Sequence, residues 1–491
     1  MFLKKNKFYR FWPFSKIGGT FLLWYVIAII FGAIILSTPI SINQNNKNIS
    51  INLNWNFFKA LFTATSGFSD TGLTIINIGK NYSFFGQLIL IILIQLGGFG
   101  LLTTKILFLM WIGKKITLKN KIIIQNERGS SILGTTIKII KFNFIFLFCV
   151  EFVSAIFLFI TFYFCLGNTS DGKISIPGAY HNYLKSLWYA IFHSISAINN
   201  AGFDCLQKGN SLSQYNSKYI FQFIFMFEFI LGGIGFPVFY DLFKKIYNKI
   251  NHKNYYFTLF SKISLFFYFL VSFFGVLIVL IIELFNHGDN SLLKHSSSNW
   301  NFFMNVFFNV MSTRNAGFST INLNYFSNPS KLIMTFMMFV GSSPSSTAGG
   351  IRTTTLGVIF ISVFSIIKNH NTSIFKREIP LKTVKKSFAV FFIATTILFF
   401  SWISSIIILN INKSEFNNNL DYLFILTSAF GTTGLNTMTT NQFSQSNIFF
   451  QIIIIFLMLL GQLGISNTLR MFKYKKITKI FLYPKEDVVV G

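Results

Sequence analysis

Four short segments of the chain could coordinate an ion with their backbone. They are Ser66-Gly67-Phe68-Ser69-Asp70-Thr71-Gly72-Leu73, Ser196-Ala197-Ile198-Asn199-Asn200-Ala201-Gly202-Phe203, Met311-Ser312-Thr313-Arg314-Asn315-Ala316-Gly317-Phe318 and Ser428-Ala429-Phe430-Gly431-Thr432-Thr433-Gly434-Leu435. Each closes on Thr or Ala, then Gly, then Leu or Phe, and the four glycines stand roughly 115 to 130 residues apart, a fixed period that points to an internal repeat. Glycine reaches torsions closed to other residues, so consecutive carbonyl oxygens can turn to one side and replace the water around a cation. The backbone expected to do this is Asp70 to Leu73, Asn200 to Phe203, Asn315 to Phe318 and Thr432 to Leu435. Ahead of each loop lies an apolar stretch too short to cross a bilayer: Phe57 to Thr65, Ser186 to Ala197, Phe302 to Met311 and Tyr422 to Ala429. Such half-crossing helices would aim their partly negative C-terminal ends at the ion.

Side-chain chemistry is sparse. The 14 Asp and Glu are spread over the whole chain, with Asp70, Asp204 and Asp421 each beside a different loop, so no converging set of acids, bases and nucleophiles forms and catalysis is disfavoured. Cys149, Cys165 and Cys205 have neither a disulfide nor a zinc spacing, and the six histidines do not cluster. Two readings of Asp70 stand side by side: a carboxylate concentrating cations at a pore mouth, or a group pairing behind the loop. Glu151, Glu228 and Glu283 fall in or near apolar runs, where proton or sodium coupling competes with interface pairing or a helix-end position.

The elements that position the loops are membrane helices. With 52% hydrophobic and only 11% charged residues the chain belongs in lipid, and about 20 apolar residues cross a bilayer core of ~30 Å. Runs of that kind extend over Gly18 to Leu36, Phe84 to Ile112, Phe144 to Leu166, Tyr219 to Tyr240, Ile263 to Phe285, Phe388 to Leu409 and Ile448 to Ile465, with an interrupted one from Leu332 to Ile367. The expected fold is therefore an all-α integral membrane protein of eight membrane helices, built as four covalently linked helix–pore loop–helix units in pseudo-fourfold arrangement. Residues 1–17 form an N-terminal segment, 18–112 the first repeat, 143–243 the second, 263–367 the third and 387–469 the fourth. Linkers occupy 113–142, 244–262 and 368–386, and a tail occupies 470–491.

Lys and Arg, 42 in all against a net charge of +28, concentrate in the N-terminus, these linkers and the tail. Alternation of that kind puts both termini in the cytoplasm and speaks against a nucleic-acid partner. The interrupted run breaks at Gly341-Ser342-Ser343-Pro344-Ser345-Ser346-Thr347-Ala348-Gly349-Gly350, before Ile351-Arg352. Small hydroxyl residues, Pro and Gly cannot hold a straight lipid-facing helix, so the break belongs inside the protein.

These loops, notably Thr63-Ala64-Thr65-Ser66, Asn199-Asn200-Ala201-Gly202-Phe203 and Ser428 to Leu435, resemble those of the Trk/Ktr/HKT superfamily of potassium transporters, and within it the Ktr-type membrane subunits. The resemblance covers nearly the whole chain, although the two extra N-terminal helices usual in Trk relatives are absent. It implies a bacterial inner-membrane potassium uptake subunit with no cofactor, and potassium, or sodium, as the transported ion. Gly72, Gly202, Gly317 and Gly434 match the all-glycine filter that accompanies potassium selectivity in this superfamily. Residues 341–350, namely Gly341, Ser342, Ser343, Pro344, Ser345, Ser346, Thr347, Ala348, Gly349 and Gly350, resemble its intramembrane gate loop. The family's usual Arg in the last span is Gln462 here, with Arg352 and Arg470 near in sequence. The resemblance further implies membrane lipid around the protein, a homodimer, and a cytosolic ring of nucleotide-binding regulatory subunits; the tail Tyr483 to Gly491 resembles the family's ending near the dimer contact. Whether uptake is channel-like or coupled to sodium or protons is open at this level.

Overall fold

The computed structural model describes residues 17–43, 57–100, 136–168, 178–206, 211–288, 291–411 and 419–466, besides a few isolated positions. The basic N-terminus, most of the 113–142 linker, Arg470 and the tail lie outside them. Among the described residues the regular structure is helical apart from two minimal hairpins, Gly167–Asn168 with Ile174–Ser175 and Ser373–Ile374 with Arg377–Glu378.

One order of elements recurs four times. A helix, α1 (Ile17–Leu36), is followed by a largely buried helix, α2 (Phe57–Phe68), a loop, and α3 (Phe84–Phe99). Next come α4 (Thr136–Phe164), α5 (Tyr183–Ile198) and α6 (Tyr219–Ile234), the last continued by α7 (Phe236–Ile250). Then follow α8 (Leu259–Leu284), α9 (Asn299–Ser312), α10 (Asn328–Phe339) and α11 (Thr353–Ile367), and finally α12 (Leu381–Ile411), α13 (Asn419–Gly431) and α14 (Ile448–Leu463). Among the described residues α4, α8 and α12 are long and apolar enough to cross a hydrocarbon layer, and the bent pair α6–α7 reaches that length only when its two helices are counted as one; α1, α3, α11 and α14 include shorter apolar helices.

Local chemistry sets the helix starts. Ser83, Thr258, Ser298, Ser327, Asn182 and Asn447 each accept a hydrogen bond from an orphan N–H of the helix they precede, the usual service of a short polar side chain at that position. Glu283 adds to the start of α10, accepting from the Ser327 N–H at 2.9 Å and its hydroxyl at 2.8 Å. A helix-end role thus accounts for this carboxylate, and Asp421 pairs with the buried Lys331 at 3.3 Å.

Burial is inverted relative to a water-soluble protein. Phe152, Phe273, Phe392 and Phe400 on the long helices are more than 60% exposed, whereas the polar residues Ser66, Ser196, Asn199, Ser312 and Ser428 are wholly buried around the loops. Apolar surface faces outward because lipid is its solvent, and the polar backbone of the loops is gathered inward.

Two expected spans are not continuous. The run from Phe84 ends its helix at Phe99, with Gly100 at φ +75°, and the run from Tyr219 breaks at Gly235, φ +96°, where the axis turns by 97°. The last span stops in the same way at Gly464, φ +74°. In each case the preceding helix has 16 residues. The positive torsion is open to glycine and closed to most side chains, so a residue that hydropathy counts as neutral ends the helix. The interrupted sixth span breaks as expected, between α10 and α11. Helices also run into the linkers, since α4 begins at Thr136, α7 runs on to Ile250 and α12 begins at Leu381.

Gly235→Ala should lower stability by roughly 1–3 kcal/mol through torsional strain, with further loss because its methyl would press on the Pro344 carbonyl. Gly464→Ala has nothing within 4 Å and should cost strain alone; thermal unfolding of both variants in one detergent compares the two.

Candidate functional site

Each loop begins where a buried helix stops. The main-chain N–H groups of Thr71, Ala201 and Thr433 donate to the carbonyls of Ser66, Ser196 and Ser428 at 2.9, 2.8 and 2.8 Å. The residues just before them, Asp70, Asn200 and Thr432, are left-handed at φ 50°, 56° and 51°. This is the geometry that closes a helix C-terminus by a six-to-one bond. The third loop departs from it: the Ala316 N–H donates to Ser312 at 2.9 Å, and Asn315 takes φ 77°. Two residues further on, Gly72, Gly202, Gly317 and Gly434 are again positive, at φ 86°, 66°, 79° and 89°. The same alternation of torsions occurs in all four loops.

The loops meet one another in a closed cycle. A methyl group built on Gly72 would meet the backbone of Ala201 and Gly202; on Gly202, the Gly317 Cα at 2.9 Å; on Gly317, the Thr433 carbonyl; on Gly434, the Thr71 carbonyl. No side chain fits at any of the four, which is the second reason for glycine there. All four glycines line one vestibule, together with Leu73, Phe203, Leu435 and Asp204. Ala201, Ala316, Thr71, Thr433 and Phe318 are buried beside them.

Beneath the loops lies the 341–350 segment, bonded to three of the four left-handed residues. Asn200 reaches the Thr347 hydroxyl at 3.2 Å, the Ser342 hydroxyl donates to Asn315 Oδ1 at 3.0 Å, and the Gly349 N–H donates to Thr432 Oγ1 at 2.7 Å. The Ser343 N–H donates to the Gly233 carbonyl at 3.1 Å, and the Ser345 carbonyl accepts from Phe236 N–H at 3.2 Å, so the segment is also tied to the α6–α7 break. Pro344 and Gly235 face each other there. Ser346 bonds back to the Ser343 carbonyl at 2.7 Å, Gly341 packs against the Gly349 carbonyl, Gly350 is positive at φ 73°, and the Arg352 guanidinium donates to Ala348.

The fourth left-handed residue, Asp70, is fully buried; Gln462 donates to its Oδ2 at 3.3 Å and to the Gly97 carbonyl at 3.4 Å. Glu151 sits in a similar supporting network, accepting from Gln95 at 2.9 Å, while Gln95 accepts from Asn199 at 2.9 Å, the residue before Asn200. Glu228 is fully buried on α6. Among the described residues no group of three or more His, Cys, Asp or Glu is placed to hold a metal.

Residues 41–478 match the family model described as TrkH, cation transport protein. The chain belongs to this family. The TrkH family comprises ion transporters and not enzymes. At the sequence level the chain is 33% identical to an uncharacterized cation transporter of Mycoplasma genitalium over 95% of this chain and 96% of the relative. It is 31% identical to Ktr system potassium uptake protein D of Bacillus subtilis over 96% of each chain. The crystal structure of the potassium transporter TrkH from Vibrio parahaemolyticus has the same fold, with a TM-score of 0.66 at 16% identity over 93% of this chain and 85% of that one.

Within this TrkH-family chain one residue of the site carried no expectation from sequence. Arg314 is fully buried, and its guanidinium donates to the carbonyls of Met337 at 3.2 Å, Gly341 at 2.9 Å and Val340, while lying 5.1 Å over the Tyr268 ring. The Ser342 hydroxyl returns a bond to the Arg314 carbonyl at 3.1 Å. An arginine in a loop between apolar runs of a membrane chain is a signal that could have been read, since only a dense set of acceptors makes it tolerable when buried there.

Arg314→Gln should leave several buried carbonyls unpaired and destabilise the protein by about 2–5 kcal/mol. Arg314→Lys should recover only part of this, because an ammonium lacks the planar fork; thermal unfolding in detergent reads both.

Proposed function

We propose that the chain is the ion-translocating subunit of a Ktr-like potassium uptake system, with Asp70–Leu73, Asn200–Phe203, Asn315–Phe318 and Thr432–Leu435 as its filter. The single observation that carries this reading is the cycle of four mutually contacting glycines on the wall of one vestibule. Non-helical backbone at membrane depth is tolerated where it lines water, and a ring of carbonyls there can substitute for the hydration shell of a monovalent cation. On this reading the four units are pseudo-fourfold about the pore, the chain crosses the inner membrane eight times, and both termini are cytoplasmic. Resemblance to Ktr-type subunits supports a homodimer docked on a nucleotide-binding ring.

Residues 341–350 then act as the gate, lying under the filter on Asn200, Asn315 and Thr432. Gln462 contributes by holding Asp70, and the cation of the gate region is Arg314 with Arg352. A potential of 100 mV supplies about 2.3 kcal/mol per charge, enough for roughly fiftyfold accumulation without coupling, so uptake along the electrical gradient suffices.

Purified protein in proteoliposomes should carry potassium in preference to sodium without an opposing sodium gradient. Gly72→Ser should lower that preference, and an unchanged potassium-to-sodium ratio would refute the filter assignment. Deletion of residues 343–346 should raise resting flux severalfold; a variant that stays closed would refute the gate.

A further inference from the structure

On the outer side of the third unit, α8, α10 and α11 enclose an apolar groove of about 800 Å³, the size range of a small-molecule site. Along α8 it runs from Phe266 to Ile278, roughly 18 Å of helix, a little more than the ~15 Å half-thickness of a hydrocarbon layer. Its walls carry Phe274, Phe360 and Phe364. One end is different. There the groove closes on Lys368, His370, Asn371 and Ser373, and around it stand Lys262, 5.6 Å over the Phe375 ring, and the exposed Lys376 and Arg377, with Glu378 as the neighbouring carboxylate.

A one-leaflet apolar slot with a cationic rim matches an amphiphile with a single negative headgroup. We propose that this groove binds an anionic phospholipid, one acyl chain along α8 and the phosphate at Lys368, His370 and Arg377. The charge complementarity favours lipid over a second copy of the chain, whose own surface at this height would carry the same cations.

The groove also touches both stems of the 341–350 segment. Met337 and Leu356 line it; Met337 packs on Gly275, and its carbonyl is one of those held by Arg314. A bound acyl chain therefore braces the arrangement in which Arg314 grips residues 337–341, and, resting on the gate reading above, lipid occupancy favours the closed pore.

The test uses the full-length protein in detergent, titrated with phosphatidylglycerol or phosphatidylcholine and followed by native mass spectrometry. Selective retention of phosphatidylglycerol is expected, with Lys368→Glu/Arg377→Glu weakening it by about tenfold or more, given ~1 kcal/mol per basic residue near a charged headgroup. Leu270→Trp, which fills the slot, should weaken it as well while leaving the oligomer mass unchanged. Equal retention of both lipids, or full retention in both variants, overturns the site; loss of dimer mass in Leu270→Trp instead assigns the groove to a second copy and also overturns it. Resting potassium flux should fall severalfold when phosphatidylglycerol is added to phosphatidylcholine vesicles, and this response should vanish on deletion of residues 343–346. Lipid binding without any flux response overturns the link to the pore while leaving the filter and gate tests above to be read on their own.

Discussion

An unpaired carbonyl or N–H at membrane depth costs several kcal/mol, and the interior of this protein is arranged around that cost. Four loops leave the helical state where no water from the lipid side can reach them. Each one first closes the helix behind it with a left-handed residue, then turns again at a glycine, so the main chain is neither helical nor paired to a sheet. What such carbonyls need is a partner that the fold cannot supply from its own N–H groups. A cation passing along a shared line is one, and the cycle of glycine contacts puts four loops close enough to share it.

The same cost explains why the 341–350 segment is bonded as it is. Its Ser, Thr and Gly residues are paired with Asn200, Asn315, Thr432, Gly233 and Phe236, all of them at positions where another element has broken. Thr432 is the costliest of these, since a β-branched residue seldom takes a left-handed torsion. Its hydroxyl is what the Gly349 N–H binds, so a strained residue ahead of the fourth glycine turn and the 341–350 segment stabilise each other. The segment and three of the four glycine turns are thus coupled through the left-handed residue that precedes each of those three turns, Asn200, Asn315 and Thr432.

Much of this was legible in the sequence because it depends on period and on glycine. The four motifs, their spacing, the short helices before them and the break between α10 and α11 follow from residue types alone. The membrane runs were legible as lengths of apolar sequence but not as helices. Gly100 and Gly235 sit within hydrophobic stretches, and whether a glycine is a packing point or a terminus depends on its torsion, which composition does not encode. Gly97, Gly232 and Gly461 are the contrast: they stay helical and receive the carbonyls of Phe68, Ile198 and Phe430. Side-chain roles were least legible. Asp70 had two readings until Gln462, 392 residues away, was placed beside it, and Glu151 needed Gln95 and Asn199 from two other helices.

Arg314 and Gln462 together account for how charge is managed around the 341–350 segment. At Gln462 a neutral amide bonds a buried carboxylate, Asp70, and an Arg in its place would form an ion pair with it instead of projecting a free positive charge. A buried cation, the Arg314 guanidinium, is in the third loop, held by carbonyls at the C-terminal end of α10, where the helix dipole is negative. A charge held by carbonyls needs no counter-ion and stays fixed as long as α10 keeps its last turn. The positive charge beside the 341–350 segment is therefore tied to its stem, so that whatever moves the end of α10 must also act on Arg314 and, through the neighbouring Asn315, on the third glycine turn.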